Sequence, residues 1–444
     1  MTEYTFKITP SVLIDQLFNK LNIWYLILLS GIVRFFTMTF PSDGGMIFDE
    51  VHYIKASRAL LEGLSANGEH PPLVKIIIMY SIKFFGDYWF AWRLPVVIFS
   101  LIGTYFFYKI VEHWMDKKYA LMATMFLLTD IIFFIHGNIY MLEMPSLAMS
   151  LGFVYYYLKG NWKVSSIMMG IAFLCNEKAL LVLLGVAIYH VVIHYKIPRD
   201  VRTKAITTSL SAILLMSAVG GGGLFMADSI WKPASSTSAI ETANIIVSVD
   251  NLGNPVSTIT TLITKYTYEY INDPITHLFF MFGYFQNMQG AIVTDKSQAR
   301  PPVSWILPVT DNWNNPPTYF SLGVSVGDKT MIPINYRGWS SFPIWWMTIP
   351  ILLSCIWFIR DNMSKFIICM IVPLFGFWVY WDLGNNFLPF NHYFLMTIPY
   401  ICLGIPFFWK KLYPSYADEL IMVHLLISVL FFIWAFPVQL IRIM

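Results

Sequence analysis

The sequence predicts an all-α protein that crosses a membrane many times, and three observations carry that prediction. Hydrophobic residues fill 57% of the 444 positions and charged residues only 12%, about half the charged share of a soluble domain. That leaves too little polar side chain to cover a water-soluble fold. The apolar residues also fall in runs of bilayer length, and basic residues collect in alternate connections between the runs. The formal net charge of +3 is too small to point to nucleic acid as a partner.

Taken in order, the polar stretch Met1 to Lys20 has no cleavable signal pattern, so the first apolar run is expected to remain as a span. A helical crossing needs roughly 20 mostly apolar residues. On that rule the runs are 22–40, 91–111, 119–135, 140–158, 164–176, 179–195, 205–226, 343–359, 366–380, 394–409 and 418–441, about eleven transmembrane helices. The run 164–195 is divided at Asn176-Glu177-Lys178, because three polar residues at mid-bilayer are costly and a hairpin tip hydrates them. The 16 tryptophans suit membrane–water interfaces. Cys175, Cys355, Cys369 and Cys402 all lie in apolar runs, so no disulfide is expected.

Orientation follows from the basic connections. With the N-terminus inside, Lys7, Lys20, Lys117, Lys118, Lys159, Lys163, Lys196, Arg199, Arg202, Lys204, Arg360, Lys365, Lys410 and Lys411 all face the cytosol. The chain then divides into residues 1–226 with the first seven spans, a large external segment at 227–342, and residues 343–444 with the last four spans. The first external loop, 41–90, and the segment 227–342 are both too long to be simple connectors.

The first loop holds the densest set of reactive side chains. Pro41 and the glycines Gly44 and Gly45 break the first span. From Asp49 to about Leu61 the pattern is that of a short amphipathic helix lying along the interface, ended by Gly63. Asp49 and Glu50 stand at its start, where a helix N-terminus favours ionised carboxylates. The pair suits a general base at the membrane surface, although a solvated capping pair has the same pattern. Glu69-His70-Pro71-Pro72 is held extended by its prolines and opens a second interfacial helix, 73–85, with Lys75 in its first turn. Arg93 heads the second span at headgroup depth, where a guanidinium can hold a phosphate through two bonds or simply anchor the helix. Arg34 is a charge inside the first span, functional by default or paired with Asp43.

Phe48-Asp49-Glu50-Val51-His52-Tyr53, then His70-Pro71-Pro72-Leu73-x-Lys75, Phe85-Gly86-Asp87 and Trp92-Arg93-Leu94-Pro95, resemble the signature of the dolichyl-phosphate-mannose-dependent protein O-mannosyltransferases, of the C-type glycosyltransferase class. Lys178, Ser304-Trp305 with Leu307-Pro308, and Asn391-His392-Tyr393 resemble later elements of the family. The likeness is sharpest over about residues 34–95. Where the family shows Arg…Met-Leu-Asp at its fourth span, this chain has Asn138 and Met141-Leu142-Glu143, so a basic group is absent and the carboxylate is longer. Glu143 and Asp130 are expected as structural partners of Lys or Arg. The lipid A aminoarabinose transferases are also similar, but typically place Lys where His70 stands.

The resemblance implies an inverting transfer of a sugar, mannose by family default, from a polyprenyl (dolichyl) phosphate to an acceptor hydroxyl of a protein, glycan or lipid. It implies Asp49 as the base, with Glu50 and Glu69 orienting acceptor and sugar. Arg93, His70 and Lys178 would neutralise the leaving phosphate, with Lys75 and His392 in the same task. No metal or other cofactor is expected, because fixed cations supply the charge. The site would face outward from a multi-pass protein, with the plasma membrane of a prokaryote as the expected setting. A transporter would instead place its ionisable groups near the midplane, with internal repeats. A metal-dependent oligosaccharyltransferase would carry Trp-Trp-Asp, but Trp345-Trp346 is followed by Met347.

Overall fold

The computed structural model describes residues 10–42, 45–64, 68–195, 198–249, 255–271, 273–287, 301–307, 317–326, 329–385 and 389–438. The chain enters through α1 (Pro10–Lys20) and α2 (Ile23–Thr37), which meet at 75°. Asn22 starts α2 by accepting the Trp24 backbone N–H. The loop 41–90 forms α3 (Glu50–Leu61) and α4 (Leu73–Phe85), within a residue of the two helices expected there. Gly63, at φ +74°, lies just beyond the end of α3 in the left-handed region that glycine enters freely.

The bundle continues with α5 (Trp89–Trp114), α6 (Lys117–Leu128), α7 (Ile131–His136), α8 (Glu143–Leu158), α9 (Trp162–Cys175), α10 (Ala179–His194) and α11 (Arg199–Ile230). The expected single run 119–135 is two helices. Asp130 breaks it by accepting the Phe133 N–H at 2.9 Å and the Trp345 indole N–H at 2.7 Å. Asp130 is therefore held by these donors rather than by a Lys or Arg. The division at 176–178 is present, with the Asn176 side chain accepting the Lys178 N–H in the turn. Helix α8 is buried from Glu143 to Val154 and packs between α5 and α9.

The segment 227–342 departs from an all-helical reading. Antiparallel strands β1 (Ala234–Val249) and β2 (Pro255–Tyr270) pair with Ile246 opposite Ile259. After α12 (Pro274–Asn287) and α13 (Val303–Ile306), β3 (Thr318–Val326) and β4 (Lys329–Arg337) pair with Leu322 opposite Ile334. These strands are rich in β-branched and aromatic residues, which fit a pleated surface better than a helix. The chain then forms α14 (Phe342–Trp345), α15 (Thr348–Trp357), α16 (Asn362–Asn385), a 3₁₀ turn (Asn391–Met396), α17 (Ile398–Leu412) and α18 (Ala417–Ala435).

Each of the eleven expected apolar runs is helical over most of its described length. Among the described residues, the segments Trp89–Trp114, Ala205–Ile230, Asn362–Gly384 and Pro414–Ala435 are each long and apolar enough to cross a membrane; the bent α1–α2 pair adds a fifth if it counts as one span. The protein is an integral membrane protein. Its four cysteines are buried and free.

Candidate active site

Asp49 and Glu50 are neighbours with different surroundings. Glu50 is fully buried, and its carboxylate accepts Arg93 Nε at 2.8 Å and Arg93 Nη2 at 2.7 Å. It also accepts the backbone N–H of Ile47 at 2.7 Å and of Tyr140 at 2.8 Å. Arg93 is equally enclosed, and its other N–H groups reach the carbonyls of Met38, Phe40, Pro41 and Gly45. All five guanidinium N–H groups are thus engaged within the protein. This corrects two expectations: Arg93 has no donor left for a phosphate, and Glu50 has no oxygen turned to a sugar. The pair instead ties the end of the first span and the start of α3 to α5.

Asp49 is half-buried, just after Phe48 at φ +53°. A bulky side chain in that region costs on the order of 1–3 kcal/mol and persists only where its surroundings enforce it. The Phe48 ring packs at 4.7 Å from Tyr319, 5.5 Å from His392 and 5.9 Å from Phe390. Burial, reinforced by the Glu143 carboxylate, pushes the Asp49 carboxyl up to about 6; His52, Lys178 and His70 pull the other way. Asp49 is therefore an ionisable carboxyl poised near neutrality among fixed charges.

Those charges come from helix ends. Lys178, at the α9–α10 tip, donates to Glu143 at the start of α8 at 2.6 Å, and both are buried. Its ammonium also lies 3.9 Å over the Tyr393 ring. Beside it, Glu177 faces His70 Nδ1 at 3.2 Å. Lys75 donates to the His70 carbonyl at 2.8 Å. Burial pulls the Lys75 ammonium down to about 8, while Glu69, Glu177 and Asp228 pull it up. Asp49 thus lies within electrostatic reach of Glu143, Lys178 and His70, and His392 within reach of Glu143 and Lys178, while Glu69 lies near Lys75.

Several buried atoms of this charged cluster have no hydrogen-bond partner: Glu143 Oε2, both ring nitrogens of His136, and His392 Nδ1. All three side chains are at most 3% exposed, and the His136 and His392 rings stack at 5.1 Å. Buried polar atoms left unpaired are costly, and they mark where a polar ligand fits. Glu143 is the structural partner of a Lys, as expected, but its second oxygen also faces this site. Sequence reasoning gave no role to His136, a lone His at the end of an apolar run, nor to Glu177, whose only signal was its place beside Lys178. Arg34 is structural: it donates to the Phe134 and Phe133 carbonyls at 2.7 and 3.4 Å, at the end of α7. Its suggested partner Asp43 lies outside the described residues, as does Pro308. Among the described residues, no three His, Cys, Asp or Glu side chains come together to hold a metal.

Below the α9–α10 tip, an apolar groove of about 480 Å³ runs between α9, α10, α11 and α12, lined by Phe173, Leu180, Met216, Leu224, Leu278 and Phe282 among others. Leu73, which follows the His-Pro-Pro corner, packs against its upper end together with Leu174 and Met281.

The bundle gathers carboxylates and cations at helix ends, with an apolar groove between α9, α10, α11 and α12. Residues 69–220 match the family model described as dolichyl-phosphate-mannose-protein mannosyltransferase. Among solved structures, the chain is similar to the Saccharomyces cerevisiae protein O-mannosyltransferase Pmt1-Pmt2 complex bound to the sugar donor, at 10% identity and TM-score 0.62, covering 97% of this chain and 90% of that one. It is also similar to ArnT from Cupriavidus metallidurans in the apo state, at 14% identity and TM-score 0.52, covering 90% of this chain and 62% of that one. The same ArnT bound to undecaprenyl phosphate matches at 13% identity and TM-score 0.52, covering 92% of this chain and 69% of that one. No curated protein matches the chain in sequence. The resemblance read from the motifs is borne out: in sequence over 69–220, and in fold over nearly the whole chain.

Proposed function

We propose that this protein is an inverting glycosyltransferase that moves a sugar from a polyprenyl phosphate to an acceptor hydroxyl on the outer membrane face. The observation that carries the reading is Asp49: a carboxyl raised to about 6 by burial and Glu143, within electrostatic reach of the Lys178–Glu143 and His70–Glu177 pairs, in a protein whose α9–α10 hairpin also lines an apolar groove. The lipid tail lies in the groove, and its phosphate rises to the α9–α10 tip. Asp49 takes the acceptor proton as the acceptor oxygen bonds to the anomeric carbon. The bond from that carbon to the phosphate oxygen breaks, and polyprenyl phosphate leaves with the electron pair. Lys178 and His70 stabilise the developing charge, a division of labour between positioning and fixed cations.

Mannose as the sugar and protein Ser/Thr as the acceptor are proposed from the His-Pro-Pro motif. Transfer of aminoarabinose to a lipid is the second reading, because the ArnT fold matches as well. The test incubates purified protein with mannosyl and aminoarabinosyl polyprenyl phosphates and with peptide and lipid acceptors, comparing wild type with Asp49→Asn. The variant should fold and bind the lipid but lose transfer by about two orders of magnitude or more. Transfer by Asp49→Asn at the wild-type rate removes Asp49 from the mechanism.

A further inference from the structure

Beyond these pairs, a further buried acidic–basic pair lies within the segment 227–342 and reaches the first loop through the Gly68 carbonyl. Asp228 lies near the end of α11 and His277 in the first turn of α12. His277 Nδ1 is 2.9 Å from Asp228 Oδ2, and both side chains are buried. The other ring nitrogen, Nε2, is 2.9 Å from the Gly68 carbonyl, two residues before His70. The Gly68 N–H in turn donates to the Ala234 carbonyl at 3.2 Å. A Cβ at Gly68 would stand 2.5 Å from that same oxygen, so only glycine lets this turn approach the start of β1 so closely. Nearby, the Trp231 indole donates to the Leu60 carbonyl at 3.1 Å.

The same helix α12 supplies one wall of the apolar groove through Pro274, Ile275, Leu278 and Phe282. Ile275 and Phe279 are exposed at 69% and 70%, so α12 presents apolar side chains outward as well. A helix apolar on two faces can shift within hydrocarbon without exposing apolar surface to water. Dispersion contacts would hold such a helix loosely and without preferred position. A buried charged pair fixes one geometry, because breaking it leaves an uncompensated group.

Building on the polyprenyl-phosphate reading, we infer that Asp228 and His277 are positioning residues forming a latch, which holds α12 in place as one wall of the open groove, so that the groove of about 480 Å³ widens for a long lipid tail only when α12 lifts. Because the latch bonds to Gly68, it also couples the groove wall to the loop that carries His70.

The experiment measures uptake of two probes, undecaprenyl phosphate and farnesyl phosphate, by purified protein in nanodiscs. Leu73→Cys with Leu278→Cys places a thiol on α4 and on α12 at side chains that pack against the same Leu174–Leu224–Met281 cluster, where a short bifunctional thiol reagent with a reducible disulfide spacer joins them, and the native cysteines are buried. Joining the two thiols should slow uptake of undecaprenyl phosphate at least about tenfold, leave the short-chain probe nearly unchanged, and reverse on reduction. As an independent arm, His277→Leu should speed both uptake and release of the long lipid several-fold with little effect on the short one. Equal uptake of the long lipid by joined and reduced protein, together with an unchanged His277→Leu, overturns the latch. Uptake of neither lipid by the reduced protein overturns the donor reading, and the latch with it.

Discussion

Replacing Glu50 by Gln tests whether Arg93 is a brace or a phosphate ligand. The Glu50 carboxylate accepts four hydrogen bonds, two from Arg93 and two from the Ile47 and Tyr140 backbone, inside fully buried surroundings. An amide has one oxygen and one NH₂, so at least one of those donors would face another donor. The guanidinium would lose its counter-charge while still bonded to four carbonyls. Removing one partner of a buried ion pair costs about 3–5 kcal/mol. With the usual per-residue unfolding entropy, that lowers the melting temperature of a chain this long by on the order of 4 °C. The assay is thermal unfolding of purified protein, followed by tryptophan fluorescence and checked by size-exclusion recovery, with donor KM measured in parallel well below the transition. We expect a clear loss of stability and a KM changed only as far as the first loop loosens. An unchanged melting temperature with a donor KM raised many-fold would refute the bracing role and return Arg93 to the phosphate.

Two further outcomes follow from the charged cluster around Asp49 and Lys178. Transfer should fall as pH drops through about 6, because burial and Glu143 raise the Asp49 carboxyl to about 6 and only its ionised form accepts a proton; a rate–pH profile of single turnovers checks this, and a profile flat from pH 5 to 8 would contradict it. Lys178→Met should abolish transfer and destabilise the fold by about 3–5 kcal/mol by stranding Glu143, whereas adding Glu143→Gln should recover part of the stability but none of the transfer, as unfolding and activity measurements side by side will show.

Much of the site was legible because its chemistry is local in sequence. Asp49, His70 and Lys178 each stand at a break in the apolar pattern: a span exit, a Pro-Pro corner and a hairpin tip. Such breaks put polar groups at an interface whatever the rest of the chain does. The short reach from Asp49 to Arg93 misled for the same reason. Sequence placed them near each other, but which of two adjacent carboxylates turned inward to meet the guanidinium depended on Ile47 and Tyr140, the latter 90 residues away from Glu50. His136 was invisible because a single His at the end of an apolar helix has no periodic or spacing signal. Its meaning comes from the His392 ring stacked on it at 5.1 Å.

The sequence by itself determined membrane residence, the helical runs, the two helices of the first loop and the family likeness, since bilayer thickness and backbone hydrogen bonding constrain each segment separately. Only the tertiary structure decided which charges neutralise each other and which buried polar atoms are left without a partner. In a medium of low dielectric, an ionisable side chain's role depends on whether a counter-charge lies within a few ångströms. That distance is fixed by packing between segments that are remote along the chain: Glu143 with Lys178, His70 with Glu177, Asp228 with His277.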